Sequence, residues 1–199
     1  MDNMDIRQSI LFNTDKIETL SSLCKVDKIS QNICSNRYFW QLYFAKYDLP
    51  LPEDNYRTAD EWIYAFITAR TADDILRDLE FNAVSFNYNP SEPFDILLIG
   101  DIDNDKSILE FINHNIKYVA PGYYYKIGIF KTGDRYNILY AVYGDRSNRI
   151  IKTFTVKIND DVILYKYLYK IIYNGINVNK GLPSAMKIYT KKGITRGFL

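Results

Sequence analysis

The sequence predicts an α+β protein in which a helical N-terminal region, residues 1–93, precedes an antiparallel β-meander domain flanked by helices, residues 94–199. Apolar residues recur at helical spacing through the first 80 positions. From Tyr123 to Lys157, apolar and polar residues instead alternate. A turn-rich stretch between Asn87 and Pro93 separates the two patterns, so we place the domain boundary there.

The first two helices have weak but readable signals. Ile6, Ile10 and Leu11 share one face of a weak first segment. Asp15, with Glu18 three residues later, predicts a capped helix that ends at Cys24.

The stretch from Leu20 to Tyr47 predicts a compact helical hairpin. Its apolar positions fall at helical spacing. They are Leu20, Leu23, Cys24, Val26, Ile29 and Ile33, followed by Phe39, Trp40, Tyr43 and Phe44. Ser35 or Asn36 can cap the second helix of the hairpin.

Two further helices are expected before the boundary. Thr58 and Glu61 form a capping-box pattern that opens a helix through Arg70. A second, short helix is predicted from Asp73 to Leu79.

The region after the boundary changes period. Phe94–Ile99 predicts a short buried strand and Lys106–Asn113 a helix. Three alternating runs between Tyr123 and Lys157 then predict a meander with one face exposed, because turn formers separate the runs.

A final helix is expected from Asp160 or Asp161 to Tyr173, with Leu164, Leu168 and Ile171 facing the sheet. Lys166, Lys170 and Tyr173 would lie on another side. Ala185–Thr190 could add a last short strand.

The composition excludes several protein classes. With 199 residues and 47% hydrophobic content, the chain can bury a core and is not expected to be disordered. No run is long enough for a membrane span, and the N-terminus lacks a signal-peptide pattern. Cys24 and Cys34 have no Cys or His companions for zinc, so we expect buried, reduced thiols in an intracellular protein.

Charge is divided unevenly along the chain. Residues 1–115 carry 20 acidic and 10 basic side chains, whereas residues 116–199 carry 4 and 15. The basic half could attract nucleic acid or an acidic protein face, or it could complement the acidic half in the same copy or in another copy. Homo-oligomerisation therefore stays open.

Nucleic-acid binding is one hypothesis for this basic half. Tyr124, Lys126 and Phe130 fall on one face of a predicted strand. The basic residues that could neutralise phosphates are Lys152, Lys157, Lys166, Lys170, Lys187, Lys191, Lys192 and Arg196.

Signals for catalysis or metal binding are few. Asp101, Asp103 and Asp105 alternate after a predicted strand, but the calcium-loop spacing fails and a solvated turn explains them equally well. His114 is the single histidine and ends a predicted helix. The sequence therefore predicts no catalytic residues, no metal site and no cofactor.

The hairpin resembles the F-box, especially the divergent F-box-like proteins of large DNA viruses that infect amoebae. The resemblance covers about residues 5–47. It rests on Leu20, Leu23-Cys24, Val26, Lys28, Asn32-Ile33-Cys34, Tyr38-Phe39-Trp40 and Tyr43. The Leu-Pro that commonly opens the motif is absent, and Ser30 stands where a large aromatic residue often lies.

The resemblance implies a module that docks on a Skp-type adaptor of a ubiquitin ligase. Leu20, Leu23, Val26 and Trp40 would be the partner-binding positions. A hairpin that only packs on the following helices is the alternative. We therefore expect a non-enzymatic interaction adaptor, viral in origin and acting in the host cytoplasm or nucleus, with nucleic-acid binding as the alternative function.

Overall fold

The computed structural model describes residues 3–88, 123–144, 150–173 and 177–180. The chain forms two compact units, which we call the N-terminal unit, Met1–Asp73, and the second unit, Asp74–Leu199. The helices are α1 Asn3–Phe12, α2 Ile17–Cys24, α3 Lys28–Cys34, α4 Arg37–Lys46, α5 Ala59–Asp78 and α6 Asp161–Tyr173. The strands are β1 Val84–Tyr88, β2 Tyr123–Thr132, β3 Arg135–Gly144, β4 Ile150–Ile158 and β5 Asn177–Lys180. The predicted α+β class is confirmed.

Side chains cap α4 and α6 as the sequence predicts. Asn36 accepts a hydrogen bond from the Tyr38 backbone N–H at 2.8 Å and so caps α4. Asp160 accepts bonds from Val162 and Ile163 at the start of α6. Each bond satisfies an amide that the helix itself leaves without a partner.

The capping box before α5 is also confirmed. The Glu61 N–H donates to Thr58 Oγ1 at 3.2 Å, and the Thr58 N–H donates to Glu61 Oε2 at 3.0 Å. The predicted break after Arg70 is wrong, because α5 continues without interruption to Asp78. No glycine or proline lies in α5, and Thr71 donates its hydroxyl back to the Ile67 carbonyl, as it can within a continuous helix.

One prediction for the first helices is wrong. Asp15 does not cap α2; its carboxylate binds the Lys46 ammonium and the Tyr47 hydroxyl instead. Of the three apolar residues that share a face of α1, Leu11 is buried, while Ile6 and Ile10 are exposed. Helical spacing alone could not show which of these residues meet the neighbouring helices.

The strands form one antiparallel sheet with the order β4-β3-β2-β1-β5. A two-residue turn joins β2 to β3, and Gly133 has a positive φ of 59°, a conformation that favours glycine. β1 was not predicted. It begins before the expected domain boundary, yet it belongs to the sheet that follows that boundary, since Val84 pairs with Ile129 in β2. β5, which pairs with β1, was not predicted either.

Strand β3, which lies between β2 and β4, is buried on both faces, which corrects the prediction of a half-exposed meander for this strand. Ile138 lies between Ile129 and Val156, and all three are buried. Its neighbour Leu139 points to the opposite face, where it forms a buried cluster with Ala141 and Tyr143. Successive apolar residues therefore occupy two faces, as in a strand covered on both sides.

Helix α6 contacts β4 and has a wide buried face. Leu164, Leu168 and Ile171 are buried as predicted, and Lys166 is exposed. Three tyrosines that were not assigned to the core are buried as well; they are Tyr165, Tyr167 and Tyr169. The predicted elements Phe94–Ile99, Lys106–Asn113 and Ala185–Thr190 lie outside the described residues.

The two-sided burial of β3 predicts that Ile138→Ala and Leu139→Ala each destabilise the protein by about 2–5 kcal/mol, because each leaves a cavity in a buried layer. Urea unfolding of each variant measures this cost. Ile151→Ala, on an exposed side chain of β4, is the control and should change stability by less than about 1 kcal/mol. A Leu139→Ala variant as mild as the control would contradict burial of that face.

Candidate protein-docking surface

An aromatic cluster joins α4 to α5. Trp40 stacks on Trp62 with centroids 6.1 Å apart and an interplanar angle of 10°. Phe66 lies 4.9 Å from Tyr43 and 5.3 Å from Phe44, both edge to face. Aromatic pairs of this kind bury large apolar areas and have preferred geometries, so they fix α4 on α5.

Two buried groups of α4 attach other segments to this cluster. Trp40 Nε1 donates a hydrogen bond to the Cys34 carbonyl at 2.6 Å, which holds the end of α3. The Tyr43 hydroxyl donates to the Thr14 carbonyl at 2.6 Å, which holds the segment between α1 and α2. Burial raises the pKa of the Tyr43 hydroxyl, so this group stays a donor at neutral pH.

Lys46 attaches the same segment a second time. Its ammonium donates to the Phe12 carbonyl at 2.9 Å and to Asp15 at 2.8 Å. It also lies within 5.6 Å of the ring centroids of Phe12, Tyr43 and Tyr47. The bond from Lys46 lowers the pKa of Asp15, and the same bond raises the pKa of Lys46.

Cys24 and Cys34 form a disulfide, which corrects the prediction of reduced thiols. Both side chains are buried as expected. The Cα atoms are 5.8 Å apart because α3 returns alongside α2, and this separation suits a disulfide. We call the segment that the bond closes, residues 24–34, the disulfide ring.

Two ion pairs brace the disulfide ring on other helices of the N-terminal unit. Arg7 of α1 pairs with Asp27 at 3.1 Å, and Lys25 pairs with Asp60 of α5 at 2.8 Å. Asp27 also caps α3 by accepting the Ser30 N–H at 2.7 Å. That backbone bond is the main reason that the pKa of Asp27 lies below its ordinary value, with the Arg7 charge acting in the same direction.

The four predicted partner-binding residues have different environments. Leu20 and Trp40 are fully buried and belong to the core of the N-terminal unit. Leu23 is half-buried, whereas Val26 has 62% of its surface exposed. Of this set, Val26 and part of Leu23 can reach a partner without unfolding.

Ile29 is a surface residue that the sequence pattern assigned to the apolar stripe. It is 40% exposed, while Ser30, Ile33 and Cys34 form the buried face of α3. Spacing of three and four residues fits both Ile29 with Ile33 and Ser30 with Ile33 and Cys34. The fold buries the second set. The sequence pattern did not indicate this because Ser30 is a small polar residue.

Val26 and Ile29 therefore bring two exposed apolar side chains to one braced ring. Other exposed apolar side chains of the N-terminal unit lie on single helices. They are Met4, Ile6 and Ile10 on α1, Tyr38 and Leu42 on α4, and Tyr64 and Ile67 on α5.

The predicted nucleic-acid residues are placed only in part. Lys157 and Lys166 are exposed and Lys170 is half-buried. Lys126 lies 5.0 Å from the Tyr143 ring centroid, and Phe130 packs against the Leu139 cluster. The side chain of Lys152 is not described, and Lys187, Lys191, Lys192 and Arg196 lie outside the described residues, as does Tyr124 beyond its backbone.

A polar cluster in the second unit connects Glu80 to the β2–β3 hairpin. Lys131 donates to the Glu80 carboxylate, and the Tyr136 hydroxyl lies 3.4 Å from the same oxygen. The bond from Lys131 lowers the pKa of Glu80. The three groups satisfy one another, which fits a structural role.

Two further kinds of feature, a metal-ligand cluster and a membrane-spanning helix, can be checked in the described part of the chain. No group of three or more His, Cys, Asp or Glu residues there could hold a metal ion. The candidates Asp101, Asp103, Asp105 and His114 lie outside it. None of the helices that the structure describes is long and apolar enough to cross a membrane.

The lowered pKa of Asp27 predicts a pH-dependent contribution to stability. The folded pKa lies below the ordinary value of 3.8, so the contribution is present above that pH and disappears as pH falls through the folded pKa. Asp27→Asn keeps a capping side chain but cannot titrate or pair with Arg7. The difference in Tm between wild type and Asp27→Asn should therefore shrink on acidification; a difference that stays constant from pH 7 to pH 2 would contradict this assignment.

Comparison with known proteins does not assign the chain to a family. No family model, no curated protein and no solved structure matches it. The function must therefore be inferred from the side chains themselves.

Proposed function

We propose that the chain is a non-enzymatic adaptor whose N-terminal unit is an F-box-like module that docks on a Skp-type adaptor of a ubiquitin ligase. The observation that carries the proposal is the pair of exposed apolar side chains, Val26 and Ile29, on the disulfide ring. Residues 94–199 would then hold a protein substrate.

The first support for this proposal is that Val26 and Ile29 are not core residues. Core positions in α3 are already filled by Ser30, Ile33 and Cys34. The exposed part of each side chain, 62% of Val26 and 40% of Ile29, contributes nothing to folding, whereas its burial by a partner would contribute about 1 kcal/mol for each residue.

Rigidity gives the second support. The disulfide, the Asp27 cap and the ion pairs to Arg7 and Asp60 hold the ring from several sides. A surface that is already ordered loses less conformational entropy on binding. Leu23, half-buried beside the ring in sequence, would extend the contact.

Binding of purified Skp-type adaptor to the full chain tests the proposal. Ile29→Asp should weaken binding by about 30-fold or more, because it places a charge where an apolar anchor is buried. Ile67→Asp is a matched control, since Ile67 is also a helical isoleucine and is 42% exposed. The control should bind within about threefold of wild type.

Circular dichroism must show that both variants fold. Absence of wild-type binding at micromolar concentration would refute the ligase role. Equal weakening by Ile29→Asp and Ile67→Asp would refute the assignment of the surface to the disulfide ring.

A second candidate function is nucleic-acid binding by the basic half. One observation favours it: Lys166 is exposed on α6, and Lys170 follows one turn later on the same side. Lysines at this spacing can contact neighbouring phosphates.

Fluorescence anisotropy with a 20-base-pair duplex tests this second function. Affinity should fall steeply with salt, and Lys166→Ala should reduce the slope of log K against log salt by about 1. Lys28→Ala, on an exposed lysine of the N-terminal unit, is the control and should leave the slope unchanged. Binding that is absent or insensitive to salt would remove this candidate.

A further inference from the structure

The disulfide ring contains both exposed residues of the proposed docking surface. Cys24 ends α2 and Cys34 ends α3, so the bond closes the whole of α3 and the turn before it. Val26 lies in that turn and Ile29 in the first turn of α3. The redox state of one bond therefore acts on the segment that carries both side chains.

Without the disulfide, the remaining links of the ring to its surroundings are weaker. Helices α2 and α3 have only eight and seven residues, and isolated helices of that length are marginal in water. The Lys25–Asp60 pair is solvent-exposed and the Arg7–Asp27 pair is partly exposed, and such pairs contribute little each. Reduction would thus leave the contacts of α3 with α1, α2 and α4, the Asp27 cap and the Trp40 bond to the Cys34 carbonyl to hold α3.

Reduction also requires motion of the ring. Both cysteine side chains have no exposed surface, and a thiolate must reach a sulfur atom to attack it. Attack therefore needs local opening of α2 against α3. A partner that holds the ring closed would oppose that opening.

We propose that the disulfide ring is a redox gate for docking: the oxidised chain presents Val26 and Ile29 in a fixed arrangement, and reduction releases them and weakens binding. This gate rests on the proposed function. A dithiol reductant attacks one sulfur to form a mixed disulfide, and its second thiol displaces that bond. Cys24 and Cys34 each end as a thiol, and the reductant becomes a cyclic disulfide.

Linkage makes the gate reciprocal. If reduction weakens docking by a given factor, docking must stabilise the oxidised chain against reduction by the same factor. The reduction equilibrium and the binding equilibrium can therefore be measured separately and compared.

The test uses the full chain, oxidised or reduced with dithiothreitol, and purified Skp-type adaptor. We expect the reduced chain to bind at least about tenfold more weakly, and saturating adaptor to raise the dithiothreitol concentration needed for half-reduction, read by maleimide labelling of thiols. Cys24→Ala/Cys34→Ala should bind like the reduced chain and should not respond to dithiothreitol.

The outcomes separate the gate from the function. Equal adaptor affinity of the oxidised and reduced chains would overturn the gate and leave the proposed function intact. Absence of binding in the oxidised state would overturn both. Amide hydrogen exchange of residues 24–34 checks the cause directly: reduction should accelerate it, and unchanged protection would overturn the release of the ring even if affinity fell.

Discussion

The stacking of Trp40 on Trp62 is the contact on which the N-terminal unit depends. Helices α1 to α4 have between seven and ten residues, so none is expected to be stable by itself. The 20-residue α5 supplies a surface long enough to organise them. Trp62 Nε1 has no hydrogen-bond partner among the described residues, so apolar packing and ring geometry hold this contact.

Side chains of α4 also fix the neighbouring segments by donating hydrogen bonds to their backbone carbonyls. Trp40 fixes the end of α3, and Tyr43 and Lys46 fix the segment before α2. Arg37 at the start of α4 donates to the carbonyls of Pro52 and Asp54, and its guanidinium lies 5.9 Å from the Trp62 ring centroid. One helix therefore positions both the disulfide ring and the connection to α5, because its polar groups extend beyond the apolar cluster.

The features that the sequence predicts well are those that local chemistry determines. The caps of α4, α5 and α6 depend on a side chain and an amide two or three residues away. The turn at Gly133 depends on one backbone angle. By contrast, β1 exists because Val84 meets Ile129, 45 positions later, and the disulfide because α3 returns on α2. Such contacts join separate segments of the chain, so the sequence pattern of one segment cannot predict them.

The same distinction limits what the F-box resemblance can mean for docking. Leu20 and Trp40, on which part of the resemblance rests, are fully buried. Their similarity therefore concerns the fold of the hairpin and not its surface. A partner would instead meet Val26 and Ile29, and the core of the hairpin does not require either side chain to be apolar, because Ser30, Ile33 and Cys34 form the buried face of α3. Two chains could thus share this hairpin and differ in partner. Recognition would depend on a few exposed side chains and on the bond that holds them in place.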